Sequence, residues 1–162
     1  NKAYPLIIGG EQERGLRGGT ESTHNIHGLK IALEEAYKNL TDDQKKVKSL
    51  KELFLKRVHK SVEHVEVNGN FNESSYTILN LRFPISKEKK DLINFKLELA
   101  GIACSSGSAC QSGSSEPSHV LSEILTDEEM EKISIRFSFS KFNSKNEIIY
   151  AAESLKNILS EC

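Results

Sequence analysis

The stretch ISIRFSFSKFNSKNEI, residues 133–148, decides the fold class. Ile133, Ile135, Phe137 and Phe139 alternate with Ser134, Arg136 and Ser138. A period of two places one set of side chains on each face of a β-strand. The period then changes. Ser144 and Glu147 have the spacing of a capping box, in which each side chain bonds the other residue's backbone N–H at the start of a helix. Ile148, Ala151, Ala152, Leu155 and Leu159 follow at helical intervals as a stripe to be buried. A half-buried strand running into a capped amphipathic helix implies a sheet with a helix laid on it.

Working outward, HVEV (64–67) alternates and ends in the turn signal NGN. TILNLRF (77–83) predicts a second strand that stops at Pro84. KEKKDLINFKLELA (87–100) is helical, with Leu92, Phe95 or Lys96, and Leu99 in phase. GIAC (101–104) reads as a short strand, and PSHVLSEIL (117–125) restarts a helix after Pro117, with Ser118 near its first turn. Leu29, Leu33, Ala36, Leu40, Val47, Leu50, Phe54 and Val58 recur at helical spacing, as one long helix or as two broken near TDD (41–43). The order is helix, strand, strand, helix, strand, loop, helix, strand, helix. The fold class expected is α+β: a small mixed or antiparallel sheet flanked by helices.

The chain has 162 residues, 37% of them hydrophobic, enough for one core or for one core and an appendage. A net charge of −1 with 28% charged residues does not suggest a nucleic-acid face, which would need clustered Lys and Arg. The basic run KKVKSLKELFLKR (45–57) has Leu and Val recurring through it and reads as the solvated face of a helix. With no apolar run of about 18 residues, no transmembrane helix is expected. The opening NKAYPLIIGGEQ lacks the features of a signal peptide, and the missing initiator Met suggests a piece of something longer. Three cysteines, Cys104, Cys110 and Cys162, argue against a disulfide framework and for a reducing, cytoplasmic location.

Chemistry gathers in three places. In GIACSSGSACQSGSSEPSHVL (101–121), Cys110 sits amid Gly, Ser and Ala, between Ala109 and Gln111. A thiol attacks as the thiolate, and an irregular Gly/Ser loop supplies the exposure and freedom it needs. Read alone, the same residues fit an ordinary solvent-exposed thiol. Cys104, after Ile102 and Ala103, reads as a half-buried structural thiol, and the cysteine spacing does not make a zinc site. Arg136, on the polar face of its strand, can hold a carboxylate bidentately or serve as a salt-bridged surface residue. GGEQERGLRGGTEST (9–23) offers Gly backbone with Arg14, Arg17 and Thr20 ahead of a helix, a plausible anion cradle without the sequence of a P-loop.

Taken together these segments resemble one family. SSGSAC followed by EPSHVL resembles the catalytic-cysteine loop of the NifS/IscS-type cysteine desulfurases, members of the class V aminotransferases. GGEQERGLRGGT is similar to that family's Gly-Gly-Gly-Gln-Glu-Arg-Gly-Leu-Arg-Ser-Gly-Thr segment, and ISIRFSFSKFNSKNEI to its Arg-Phe-Ser-Leu-Gly-Arg-Phe-Thr passage. The three occur in the family's order. The resemblance implies a fold-type I pyridoxal 5'-phosphate enzyme that takes sulfur from L-cysteine and releases L-alanine, with the cofactor as electron sink. It implies that Cys110 is the nucleophile that keeps the sulfur as a persulfide. It implies that Arg136 holds the substrate carboxylate, and that Thr20 reaches the cofactor phosphate of the partner subunit in a homodimer. A Gly/Ser tether then lets the thiol meet its substrate and carry sulfur outward to an acceptor protein such as an iron–sulfur scaffold.

The family's cofactor-binding lysine lies in a Ser-His-Lys segment that has no counterpart here, so this chain resembles the C-terminal part of such an enzyme and is expected to be inactive alone. On that reading residues 1–27 are the tail of the large cofactor-binding domain, 28–62 the connecting helix, and 63–162 the small C-terminal domain with its cysteine loop at 104–116. Glu11, Gln111, Ser140 and Lys141 depart from the family pattern. The alternatives are a selenocysteine lyase or cysteine-sulfinate desulfinase relative, whose Arg-x-Gly-His-His-Cys-like context is missing, and a non-enzymatic thiol switch or sulfur carrier using Cys104 and Cys110. No metal, nucleic-acid or membrane partner is expected.

Overall fold

The computed structural model describes residues 4–106 and 118–161; Cys110, Gln111, Pro117 and Cys162 lie outside them. The chain divides into two compact units, Asn1–Thr41 and Asp42–Cys162.

The first unit holds a 3₁₀ turn, Gln12–Gly15, and the start of helix α1, Thr23–Ser61. In the turn Glu13 and Arg14 adopt left-handed φ angles of 50° and 58°. Helix α1 is unbroken at TDD. The apolar stripe along it has two fates. Val47, Leu50, Phe54 and Val58 are buried, whereas Leu29, Leu33 and Leu40 are 70%, 53% and 44% exposed. The first unit contains no strand among its described residues on which the early half of the stripe could pack.

In the second unit a three-stranded antiparallel sheet runs in the order β1 (Glu66–Val67), β2 (Ile78–Ser86), β3 (Lys132–Ser138). Leu79, Leu81 and Phe83 lie opposite Phe137, Ile135 and Ile133, all on the face that packs on the helices. The alternation read in 133–139 is therefore the core-forming pattern. Strand β2 does not stop at Pro84. It continues to Ser86 across a register shift between Phe83 and Ser86, and a residue without an N–H is accommodated where the ladder is already irregular.

A 3₁₀ turn (Lys87–Lys89) leads into helix α2, Lys90–Leu99. The buried pair on α2 is Ile93 and Leu97; Leu92, Phe95 and Leu99 are exposed. Both sets keep helical spacing one residue apart, so periodicity alone does not rank them, and docking on the sheet selects the inner one. GIAC is not a strand. Gly101, at φ 73°, closes a Schellman motif: its N–H donates to Glu98 O and that of Ile102 to Leu97 O. Only a residue that tolerates a left-handed φ ends the helix this way, and the turn sends the chain back towards β3.

Short helices α3 (His119–Ser122) and α4 (Asp127–Met130) precede β3, capped by Ser118 and Thr126. Helix α5, Lys145–Ser160, starts with the expected capping box between Ser144 and Glu147 and buries Ile148, Ala152, Leu155, Ile158 and Leu159. Phe54 of α1 joins the layers, its ring centroid 4.7 Å from that of Phe137 and 5.7 Å from that of Phe139. One residue of the basic run is not on a solvated face. Lys51 is buried, donating to Ser74 Oγ at 2.8 Å and Ser75 O at 2.9 Å, with its ammonium 4.6 Å from the Phe71 ring centroid. Burial holds its pKa below the usual lysine value.

Candidate functional site

The polar face of the sheet carries two arginines with different surroundings. Arg82, on β2, is 5% exposed. Its guanidinium bonds Glu66 of β1, Glu129 of α4 at 2.6 Å and the Asn68 Oδ1 at 2.7 Å. Asn68 in turn donates to Asn80 and to Ser134, each at 2.9 Å. A guanidinium so surrounded is a structural clamp between β1, β2 and α4. Nothing in the sequence singles Arg82 out, because the acids that meet it are 16 residues before it and 47 after it.

Arg136 sits on β3 opposite Asn80 and is half-buried. Among the described residues no carboxylate or other acceptor bonds its guanidinium. Its backbone is engaged on the outer edge of β3: Arg136 N–H donates to Ser105 O at 2.7 Å and Ser105 N–H to Arg136 O at 3.1 Å. This isolated antiparallel bridge ties the strand to the chain five residues before Cys110. Next to it, Asn94 Nδ2 of α2 donates to Ser106 Oγ. The oxygen of that amide, Asn94 Oδ1, is buried and accepts no hydrogen bond from the described residues. Helix α2 is itself held at its end, where the Tyr150 hydroxyl of α5 donates to Ala100 O at 3.0 Å. The second unit thus joins the root of the cysteine-bearing segment, a fixed helix and the unpaired arginine. Sequence reading missed Asn94, whose relation to Ser106 appears only once the Schellman turn has folded the chain back.

Cys104 is a half-buried free thiol packed against the core. Burial pushes its pKa up, so it is protonated at neutral pH and a poor nucleophile. Both features fit the structural thiol expected there.

Thr20 belongs to the first unit and is exposed. Its carbonyl accepts from Arg17 Nη1 at 3.4 Å, and no described residue bonds its hydroxyl. The loop before it is closed by backbone contact. Gly18 N–H donates to Ile7 O at 2.9 Å, and a Cβ on Gly18 would fall 2.7 Å from the Gly9 backbone, so glycine is required. A free hydroxyl and a guanidinium at the end of such a loop suit an anionic oxygen.

The sequence profile of the aminotransferase class-V family matches residues 7–150. The chain belongs to this family. Among class-V relatives, the chain is 42% identical over 149 residues to "Cysteine desulfurase, mitochondrial" of Arabidopsis thaliana, covering 92% of the chain and 32% of that protein. It is 43% identical over 147 residues to "Cysteine desulfurase IscS" of Rickettsia rickettsii, covering 91% and 35%. In three dimensions it matches a NifS-like protein from Rickettsia africae with a TM-score of 0.79 at 27% identity, over 99% of this chain and 41% of that one. The chain therefore spans about a third of the length of the curated relatives it matches. The fold found is the small α+β unit of a NifS-like class-V enzyme: the order of elements led to the α+β class, and the family resemblance implied the NifS-like small domain.

Proposed function

We propose that this chain is the C-terminal region of a pyridoxal-phosphate-dependent cysteine desulfurase. On this reading residues 1–27 finish the large domain, 28–62 connect, and 63–162 form the small domain. The observation that carries the proposal is Arg136: a half-buried guanidinium without a partner among the described residues, on the strand whose backbone holds the root of the Cys110 segment. A guanidinium left unpaired in a folded unit is suited to a carboxylate from outside it, and L-cysteine brings one.

In the reaction Arg136 binds the carboxylate of L-cysteine through its paired N–H donors. When bound, pyridoxal 5'-phosphate supplies an electron sink at the substrate's α-carbon. Thr20, with its free hydroxyl, would hold a phosphate oxygen of that cofactor, across the interface of a homodimer. The Cys110 thiol gives up its proton and the thiolate attacks the substrate sulfur. An S–S bond forms as the substrate C–S bond breaks. The bonding pair stays on carbon, which takes up one proton and becomes the methyl group of L-alanine. The outer sulfur remains on Cys110 as a persulfide until an acceptor thiolate, such as one on an iron–sulfur scaffold, attacks it. Such chemistry suits a compartment that keeps thiols reduced, which the cytoplasm and the mitochondrial matrix both do.

The test is a single turnover of the full-length enzyme with L-cysteine, followed by alkylation and peptide mass analysis. Persulfide on the peptide bearing Cys110, and its loss together with alanine release in Cys110→Ser, is the expected result. Persulfide only on Cys104, or undiminished turnover in Cys110→Ser, overturns the assignment. The 162-residue chain mixed with the cofactor should release no alanine, since the lysine segment of the family is not among its residues.

A further inference from the structure

We propose that Asn80 is a second substrate-binding residue, its amide nitrogen joining the Arg136 guanidinium in one seat for the carboxylate of L-cysteine. The inference rests on the reading of Arg136 as the carboxylate binder and adds a donor beside it. Two observations carry it. The first is register. Asn80 of β2 lies directly opposite Arg136 of β3. The backbone N–H and C=O of Arg136 are both spent on Ser105 at the outer edge of the strand, so Asn80 and Arg136 form a non-hydrogen-bonded pair. Such pairs have the closer spacing of an antiparallel ladder, about 4.5 Å between Cα atoms, and their side chains stand together on one face.

The second is the direction of the hydrogen bonds. A guanidinium only donates. Arg82, held by Glu66 and Glu129, donates to Asn68 Oδ1 at 2.7 Å. That fixes the Asn68 amide with Nδ2 as its donor to Asn80 and Ser134, and Asn80 must present Oδ1 to it, at 2.9 Å. Asn80 Nδ2 is left with two N–H donors that bond no described residue. Flipping Asn80 to offer Arg136 an acceptor would set two NH2 groups against each other. The Arg82 clamp therefore does more than join strands: through Asn68 it keeps Asn80 a donor, and Asn80 cannot quench its neighbour. Side by side, Asn80 Nδ2 and the Arg136 guanidinium offer donors and no acceptor. That arrangement suits an anion, and donors from two adjacent strands suit the two oxygens of a carboxylate.

The experiment uses the full-length holoenzyme and two probes that differ only in the carboxylate, L-alanine and ethylamine. Their Kd values are read from the change in cofactor absorbance, beside KM for L-cysteine. Asn80→Ala should weaken L-alanine about tenfold and raise KM for L-cysteine by a similar factor, with ethylamine unchanged. Asn80→Asp keeps the oxygen that Asn68 donates to and puts an anion in place of the donor. It should weaken L-alanine about 100-fold, as much as Arg136→Gln does, again with ethylamine unchanged. Unchanged L-alanine binding in either Asn80 variant, or equal weakening of both probes, overturns the proposal, since a merely structural Asn80 does not distinguish them. If Asn80→Ala fails to fold, Asn80→Asp carries the test, because the bond from Asn68 survives in it. Arg136→Gln run alongside separates the two readings. If it binds L-alanine as the parent does, the carboxylate assignment of Arg136 fails; if it binds weakly while Asn80→Ala matches the parent, only the role of Asn80 fails.

Discussion

Two arginines on one face of a small sheet differ in what reaches them. Arg82 meets Glu66, Glu129 and Asn68, so its charge is satisfied inside the unit. Arg136 is half-buried with no such partner among the described residues, and on the proposed reading a substrate carboxylate fills that role. Replacing Arg136 with Gln in the full-length enzyme should therefore lower kcat/KM for L-cysteine by about 100-fold, the equivalent of about 3 kcal/mol for losing a two-pronged charged contact. Thermal unfolding of the variant should match that of the parent, because no group among the described residues loses a partner. A large fall in Tm instead would mark Arg136 as another structural clamp. At this scale the sequence offered Arg136, between two serines on an alternating strand, as a carboxylate binder or a salt-bridged surface residue, and the family resemblance pointed to the first. Asn94 and Arg82 were not legible, because each acquires its meaning from residues that are distant in sequence.

Among the elements, the helix starts follow local chemistry. Thr126 with Glu129, and Ser144 with Glu147, form complete capping boxes. In both, hydrogen bonds from the backbone and then the side chain of the cap residue hold the glutamate's pKa below its usual value of 4.5. A carboxyl with a depressed folded pKa adds stability that is fully present above the unfolded value and is lost as pH falls through the folded one. Urea unfolding of the chain between pH 7 and pH 3 should show stability falling below about pH 4.5, and Glu147→Gln, which keeps an acceptor but does not titrate, should flatten part of that fall. Ser144→Ala should cost about 1 kcal/mol at neutral pH. An acid limb unaltered by Glu147→Gln would mean that other carboxylates dominate it. The element misread from sequence was GIAC. A short apolar run after a glycine fits a strand, but Gly101 serves as the left-handed closure of α2. The apolar phase of α2 was misread for a related reason: two stripes were available, and only the sheet decides between them.

In the second unit as a whole, one core joins α1, α2, α5 and the sheet, and Phe54 stands where they meet. It is 1% exposed, so Phe54→Ala should destabilise the unit by about 3–5 kcal/mol, read as a large drop in the urea midpoint. A change below about 1 kcal/mol would mean that the layers do not share a core. The early half of the α1 stripe stays exposed in the first unit, so an apolar period specifies a face but not what covers it. The sequence by itself determined the β3 alternation and the α5 cap, because these are written in local period and residue type, and its motifs carried the resemblance to the family. Only the tertiary structure decided which stripe of α2 is buried, which arginine is already bonded, that Lys51 is inside, and that Asn94 meets the root of the Cys110 segment. Each of those outcomes depends on a partner brought close by the folded chain, and neither a period nor a motif encodes that proximity.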